Sequence, residues 1–241
     1  MKMAGPTVLL VHGAWHGSWC WEPVATRLAD RGLNVRTVDL PTVHATNKAE
    51  LRLQDDADAV AAAVAAIDGP VVVVAHSYGG VPTTQGALDP RVVHIVYIAA
   101  FVLDAGESLL GAVGNVAPDW WHVDGALTTA GDDIQTPQRL FFGDIAPDEA
   151  DAASARLTSQ ATRAFLDPVT DVAWRDRPTT YVVTERDAIF PLEAQTALAA
   201  RSSSEVVRLD TSHSPFLSQP DAVADIVERV ARAGARDSAV E

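Results

Sequence analysis

The sequence predicts an α/β fold, a mainly parallel sheet flanked by helices and interrupted once by an inserted helical cap. Three observations carry that prediction. Short runs rich in β-branched residues alternate with longer helical patterns along most of the chain. One such run, Val71-Val72-Val73-Val74-Ala75, breaks abruptly into His76-Ser77-Tyr78-Gly79-Gly80. The alternation lapses once, between Ala105 and Trp174, where strand signals weaken and Trp120 and Trp121 stand side by side. The lapse divides the chain into a core, residues 1–104 and 175–241, and an insertion, residues 105–174. An insertion after the fourth strand would roof the carboxyl ends of the strands, where open α/β sheets place their sites.

The elements follow in order. Thr7 to Val11 reads as a buried strand, followed by the loop His12 to Gly17 and a helix from about Trp21 to Asp30 that stops at Gly32. Asn34 to Val38 is a second strand, Ala49 to Ile67 an alanine-rich helix and Val71 to Ala75 the third strand, buried on both faces by its valines. A helix begins after Ser77, and Val92–Ile98 is the fourth strand. Within the insertion, Pro147 to Leu166 has the pattern of a helix pair. Thr179–Thr184, a helix around Leu192–Ala200, a strand at Val206–Leu209 and an amphipathic helix from Asp221 to Ala231 complete the core. Ala235 to Glu241 has the small polar composition of a frayed tail.

At 241 residues and 48% hydrophobic composition, the chain has the makings of one domain with a large core. A net charge of -14 repels phosphate backbones and anionic lipid, which argues against nucleic-acid and membrane partners. Cys20 is the only cysteine, so neither an intrachain disulfide nor a cysteine metal site is expected, and a reducing cytoplasm is the simplest compartment. The start, MKMAGPTVLLVHG, is broken by Gly5 and Pro6 and runs straight into a strand, unlike a signal peptide.

The third strand carries the chemistry. A strand ending at Ala75 and a helix opening at Gly79 put Ser77 at the apex of a very tight turn, with small residues two before and two after it. That is the pattern of a nucleophile elbow, and also of an ordinary serine at a helix start. A nucleophilic serine needs a base, and His213 sits between the last strand and the last helix, at the same sheet edge as Ser77. The base needs a carboxylate. Asp187 follows the fifth core strand, with Glu185 beside it and Asp104 after the fourth strand as the other candidates. The chain order Ser77, Asp187, His213 is the order this geometry requires. The oxyanion donors would be the amide of Tyr78 and, from the first strand's loop, the amide of Ala14. Gly13, Trp15, Trp120, Trp121 and Phe216 are the candidate pocket residues. His12 and His16 lack acidic or sulfur partners nearby in sequence and lie in a loop, so they are not read as a metal pair; His12 is read as a hydrogen-bonding residue of the loop.

Taken together, Val8 to Gly17, the Ala75 to Gly80 turn, Thr184 to Phe190 and Ser212-His213-Ser214-Pro215-Phe216 resemble the α/β-hydrolase superfamily. The closest resemblance is to the branch of plant methylesterases and hydroxynitrile lyases, together with bacterial carboxylesterases that include pyrethroid hydrolases. The resemblance implies Ser77 as nucleophile, His213 as base, Asp187 as acid and Ala14 and Tyr78 as oxyanion donors, with no cofactor. Lyases of that branch carry threonine where this chain has Gly13 and lysine where it has Ser214, so no cation stands ready for a departing cyanide. The expected function is a serine esterase hydrolysing a small or medium apolar carboxylic ester through an acyl-enzyme. The alternatives are a cofactor-free lyase or elimination enzyme on the same fold and a non-catalytic ligand-binding homologue. A homodimer built on the cap or the terminal helix stays open.

Overall fold

A computed structural model describes residues 5–202 and 205–237. Its centre is a six-stranded, all-parallel sheet. Its strands are β1 (Thr7–Val11), β2 (Val35–Val38), β3 (Val71–His76), β4 (Val92–Ile98), β8 (Thr179–Thr184) and β9 (Glu205–Leu209), in the order β2-β1-β3-β4-β8-β9. The inner strands β1, β3 and β8 are buried at every position, as their valine and threonine content requires. Alternation divides their side chains between two cores. Leu9, Val11, Val73 and Ala75 point to one face, where the insertion packs. Val8, Leu10, Val72 and Val74 point to the other, under α7 (Pro220–Asp237). Val223, Val227 and Val230 form the apolar stripe of α7, spaced four and three residues apart. The polar side of α7 pairs Asp221 with Arg27, and Asp225 and Glu228 with Arg31, tying it to α1 (Glu22–Asp30).

Several expectations about the elements need correction. The predicted helix Ala49 to Ile67 is a 3-10 turn at Lys48–Glu50 followed by α2 (Leu53–Ala65), because Arg52 is extended, with φ of -143°, and Asp55 caps the new helix. The second strand begins at Val35, one residue late. The terminal helix runs to Asp237, so it takes in the start of the predicted tail; residues 238–241 of that tail lie outside the described residues.

The insertion is mixed rather than helical. It contains a three-stranded antiparallel sheet, β5 (Trp121–Asp124), β6 (Leu127–Ala130) and β7 (Gln160–Ala161), with short helices around it. The expected helix pair over Pro147 to Leu166 is a helix at Pro147–Ser154, the strand β7, and a single turn at Arg163–Leu166. Backbone pairing explains the difference, since Leu127 and Thr128 of β6 pair with Ala161 and Gln160. The segment is fastened to the rest of the chain at several points. Thr158 N–H donates to the Trp15 carbonyl at 3.0 Å, Lys48 Nζ donates to the Ser159 carbonyl at 2.7 Å, and Ser212 donates its amide and hydroxyl to Asp144. Among the described residues, no helix is long and apolar enough to cross a membrane.

Candidate active site

At the end of β3 the chain turns through Ser77–Gly79 in a 3-10 turn and enters α3 (Gly80–Gly86). Ser77 has φ of 52°, a left-handed conformation that costs a non-glycine residue about 1 kcal/mol or more. The turn tolerates only the smallest neighbour on its inner side. A Cβ on Gly79 would lie 2.4 Å from the His12 carbonyl oxygen, so the two loops can meet only if residue 79 is glycine. The Phe101 amide donates to the Ser77 carbonyl at 3.1 Å and closes the turn from the β4 side.

His213, on the loop after β9, reaches the same edge. Its Nδ1 donates to Asp187 Oδ2 at 2.6 Å, which leaves Nε2 without a hydrogen-bond partner among the described residues. Asp187 is itself held by its surroundings. Oδ1 accepts from the amides of Ile189 and Phe190, both at 2.9 Å, and Oδ2 accepts from the Thr184 hydroxyl at 2.9 Å and Gln195 Nε2 at 3.4 Å. The other two candidate acids stand apart from His213, on the surface: Glu185 pairs with Arg208 and Asp104 with Arg175. Sequence reading missed His76, whose Nε2 donates to the His213 carbonyl at 2.9 Å and so fixes the backbone of the loop. Burial, with His213 and His16 nearby, holds His76 well below the usual imidazole value and therefore neutral.

The loop after β1 lies against the serine turn. A Cβ on Gly13 would meet His76 Nδ1 at 2.7 Å and Ser77 Cβ at 3.0 Å, so Gly13 acts as a spacer under the site. Ala14 and Tyr78, the two expected donors, line the same cavity as Ser77 and His213. The loop's histidines are structural. His12 donates from Nδ1 to the Gly13 carbonyl and accepts the Leu40 amide at Nε2, 3.0 Å away. His16 donates to the Ala14 carbonyl at 2.7 Å. Burial pushes His12 down to about 4 and His16 down to about 3.

Ala14, Trp15, Ser77, Tyr78, Trp120, Trp121 and His213 line one cavity of about 50 Å³. Five further lining residues, Phe101, Val113, Pro118, Ile189 and Phe190, also line a neighbouring groove of about 870 Å³. Trp15 is the hub of its wall, touching Trp120, Trp121, Phe141 and Phe165 at ring separations of 5.5–6.0 Å. Phe216 is a correction. It is fully buried on the opposite side of the sheet, 4.8 Å from both Trp21 and His76, because the helical turn at Pro215–Ser218 points it away from the cavity. Gly13 likewise lies behind the lining.

One cluster was not foreseen. His12, Asp39 and His44 bring ligand atoms within 4.8 Å of one another. The arrangement does not fit a cation as it stands. The His12 lone pair is taken by the Leu40 amide, His44 Nε2 donates to the His16 carbonyl, and Asp39 accepts both the amide and hydroxyl of Ser18.

Comparison with known proteins bears on the family and the fold. A sequence model described as "Alpha/beta hydrolase family" matches residues 8–226. The chain is 29% identical to "Probable hydrolase R7" of Phoma sp., over 95% of this chain and 99% of that protein. It is 26% identical to Methylesterase 9 of Arabidopsis thaliana, over 92% and 97% of the two chains. Among solved structures, a pyrethroid hydrolase from Sphingobium faniae superposes with a TM-score of 0.82 at 23% identity, covering 96% of this chain and 99% of that one.

Proposed function

The chain belongs to the alpha/beta hydrolase family, and from that premise we propose that it is a cofactor-free serine esterase acting on a small or medium apolar carboxylic ester. Ester hydrolysis at the level of the family accords with its hydrolase- and methylesterase-named relatives. The finer reading rests above all on one observation: His213 is bound to Asp187 through Nδ1, its Nε2 is left free, and it shares a cavity wall with Ser77.

In this reading His213 Nε2 takes the Ser77 proton as the hydroxyl oxygen attacks the ester carbonyl, and Asp187 stabilises the imidazolium that forms. The amides of Ala14 and Tyr78 donate to the developing oxyanion. The imidazolium then gives its proton to the departing alkoxide, which leaves as the alcohol. Water, deprotonated by the same Nε2, attacks the acyl-enzyme, and the acid product and Ser77 are released. The small cavity beside Ser77 takes a short acyl or alkyl group, and the groove beyond Val113 takes the bulkier part of the ester. Residues 105–174 form the roof. A reducing cytoplasm is the compartment that suits the single buried, unpaired Cys20.

The test is hydrolysis of p-nitrophenyl acetate and butyrate by the protein and by Ser77→Ala. Turnover that falls by at least about 10³-fold in the variant supports the reading. Equal turnover, or none in either protein, overturns it.

A further inference from the structure

We propose that Asp56 is a positioning residue for the oxyanion hole: its buried carboxylate fastens the Tyr78 side chain directly and the Trp15 backbone through Thr42 and Gln160. The proposal rests on the serine esterase reading, because of the two residues it holds one bears a donor amide and the other follows the second donor residue, Ala14. On one side, Tyr78 Oη donates to Asp56 Oδ2 at 2.7 Å, and Tyr78 is the residue whose own amide would meet the oxyanion. On the other, Thr42 donates its amide to Oδ1 at 2.9 Å and its hydroxyl to Oδ2 at 2.6 Å. Gln160, on β7 of the insertion, donates to the Thr42 hydroxyl at 3.0 Å and accepts the Trp15 amide at 3.2 Å. Asp56, Thr42 and Gln160, from three segments, thus join Tyr78 and Trp15 into one hydrogen-bonded chain.

The backbone gives the chain something to hold. Trp15 and Ser77, each next to a donor amide, both have positive φ, 61° and 52°. Such conformations persist only where surrounding contacts enforce them. Trp15 is gripped at its amide by Gln160, at its carbonyl by the Thr158 amide and at its indole N–H by the Thr128 carbonyl. Asp56 is fully buried on α2, away from the cavity lining, so it has no direct role in the chemistry. Desolvation of such a carboxylate is costly, and burial pushes its pKa up to about 6 against the bonds from Thr42 and Tyr78. An apolar residue would spare α2 that cost, and would leave Thr42 and Tyr78 without their acceptor.

The experiment compares the whole chain with Asp56→Asn, Tyr78→Phe, the double variant and Ser77→Ala, on p-nitrophenyl acetate, with active enzyme counted by the burst and folding followed by thermal melting. Tyr78→Phe removes one hydroxyl and keeps the donor amide. It is expected to lower kcat about tenfold with KM within about twofold, since a donor that is slightly misplaced loses transition-state stabilisation more than ground-state binding. Asp56→Asn is expected to match it, and the double variant to be no worse than either single variant. Wild-type kcat in Tyr78→Phe, or losses that multiply in the double variant, would overturn the proposal while leaving Ser77-dependent turnover intact. If Asp56→Asn does not fold, Tyr78→Phe alone decides. Absence of Ser77-dependent turnover in the parent chain overturns the esterase reading and this proposal with it.

Discussion

His213 Nδ1 lies 2.6 Å from Asp187 Oδ2, and each side chain is only 1% exposed. The pair fixes one tautomer of the imidazole, because the carboxylate accepts and Nδ1 must donate. Asp187→Asn puts an amide in that place, which can present a donor to Nδ1 and invert the tautomer. We expect kcat for p-nitrophenyl acetate to fall by about 10⁴ while the fold survives. Glu185→Gln and Asp104→Asn, in exposed ion pairs worth about 1 kcal/mol or less, are expected to stay within about twofold of the parent. Comparable losses in either of those two would remove Asp187 from its assigned place.

The serine turn depends on Gly79 more tightly than on any contact Ser77 makes. Its missing Cβ is replaced by the His12 carbonyl, 2.4 Å from where that atom would sit, and the Val11 carbonyl is 3.0 Å away. Both are backbone, and neither can swing aside as a side chain could. Gly79→Ala is therefore expected to lower stability by about 2 kcal/mol or more and to displace the serine from the β1 loop. Urea denaturation checks the first effect and ester turnover the second. A variant with unchanged midpoint and activity would contradict the close approach of the two loops.

These sites were legible in unequal measure. The inner strands β1 and β3 announced themselves because buried parallel strands need near-continuous apolar runs, and Ser77, Asp187 and His213 were singled out because each follows a predicted strand. The hairpin of β5 and β6 was missed although Asp124-Gly125 stands between them and Gly125 has φ of 58°; the aspartate-glycine pair was the available signal. Phe216 was misplaced because sequence places a residue near His213 without saying toward which face of the sheet it points. The chain from Asp56 to Trp15 could not be read at all. Its links span 14, 118 and 145 residues, the bond from Tyr78 to Asp56 spans another 22, and no local pattern encodes contacts of such separation.

On the esterase reading, substrate size is expected to be governed by the residues that the small cavity and the groove share. Val113, Phe101, Pro118, Ile189 and Phe190 line both spaces, and Val113 and Pro118, each partly exposed, are the two from the insertion. Val113→Trp is expected to crowd that shared wall. Acetate, which needs only the inner cavity, should be hydrolysed within about twofold of the parent rate. Long-chain p-nitrophenyl esters should lose roughly tenfold in kcat/KM, the usual effect of steric conflict in an apolar pocket. A uniform effect across an acetate-to-decanoate series would show that the groove does not hold the ester.

Acid should destabilise the protein above the pH range in which ordinary carboxylates titrate. Burial keeps His12 and His16 neutral down to about 4 and about 3, whereas in the unfolded chain each takes a proton near 6.5. Between those values the unfolded state binds more protons, so stability falls as the pH falls, by about 1.4 kcal/mol per pH unit for each imidazole. His76 acts in the same direction. Asp56 opposes them. Its folded value, about 6, lies above the ordinary carboxylate value of 3.8, so the folded state holds its proton more tightly and gains stability as the pH drops through 6. With His12, His16 and His94, the last also lowered to about 4 chiefly by burial, and His76 beside them, set against one carboxylate, the balance favours unfolding. We expect urea midpoints to drop steadily from pH 7 to pH 4.5. Asp56→Asn, which removes the opposing group, should steepen that drop by about 1.4 kcal/mol per unit below pH 6. A flat profile over this range would mean that the buried imidazoles are protonated in the folded protein, and that the tautomers assigned to His12 and His16 are wrong.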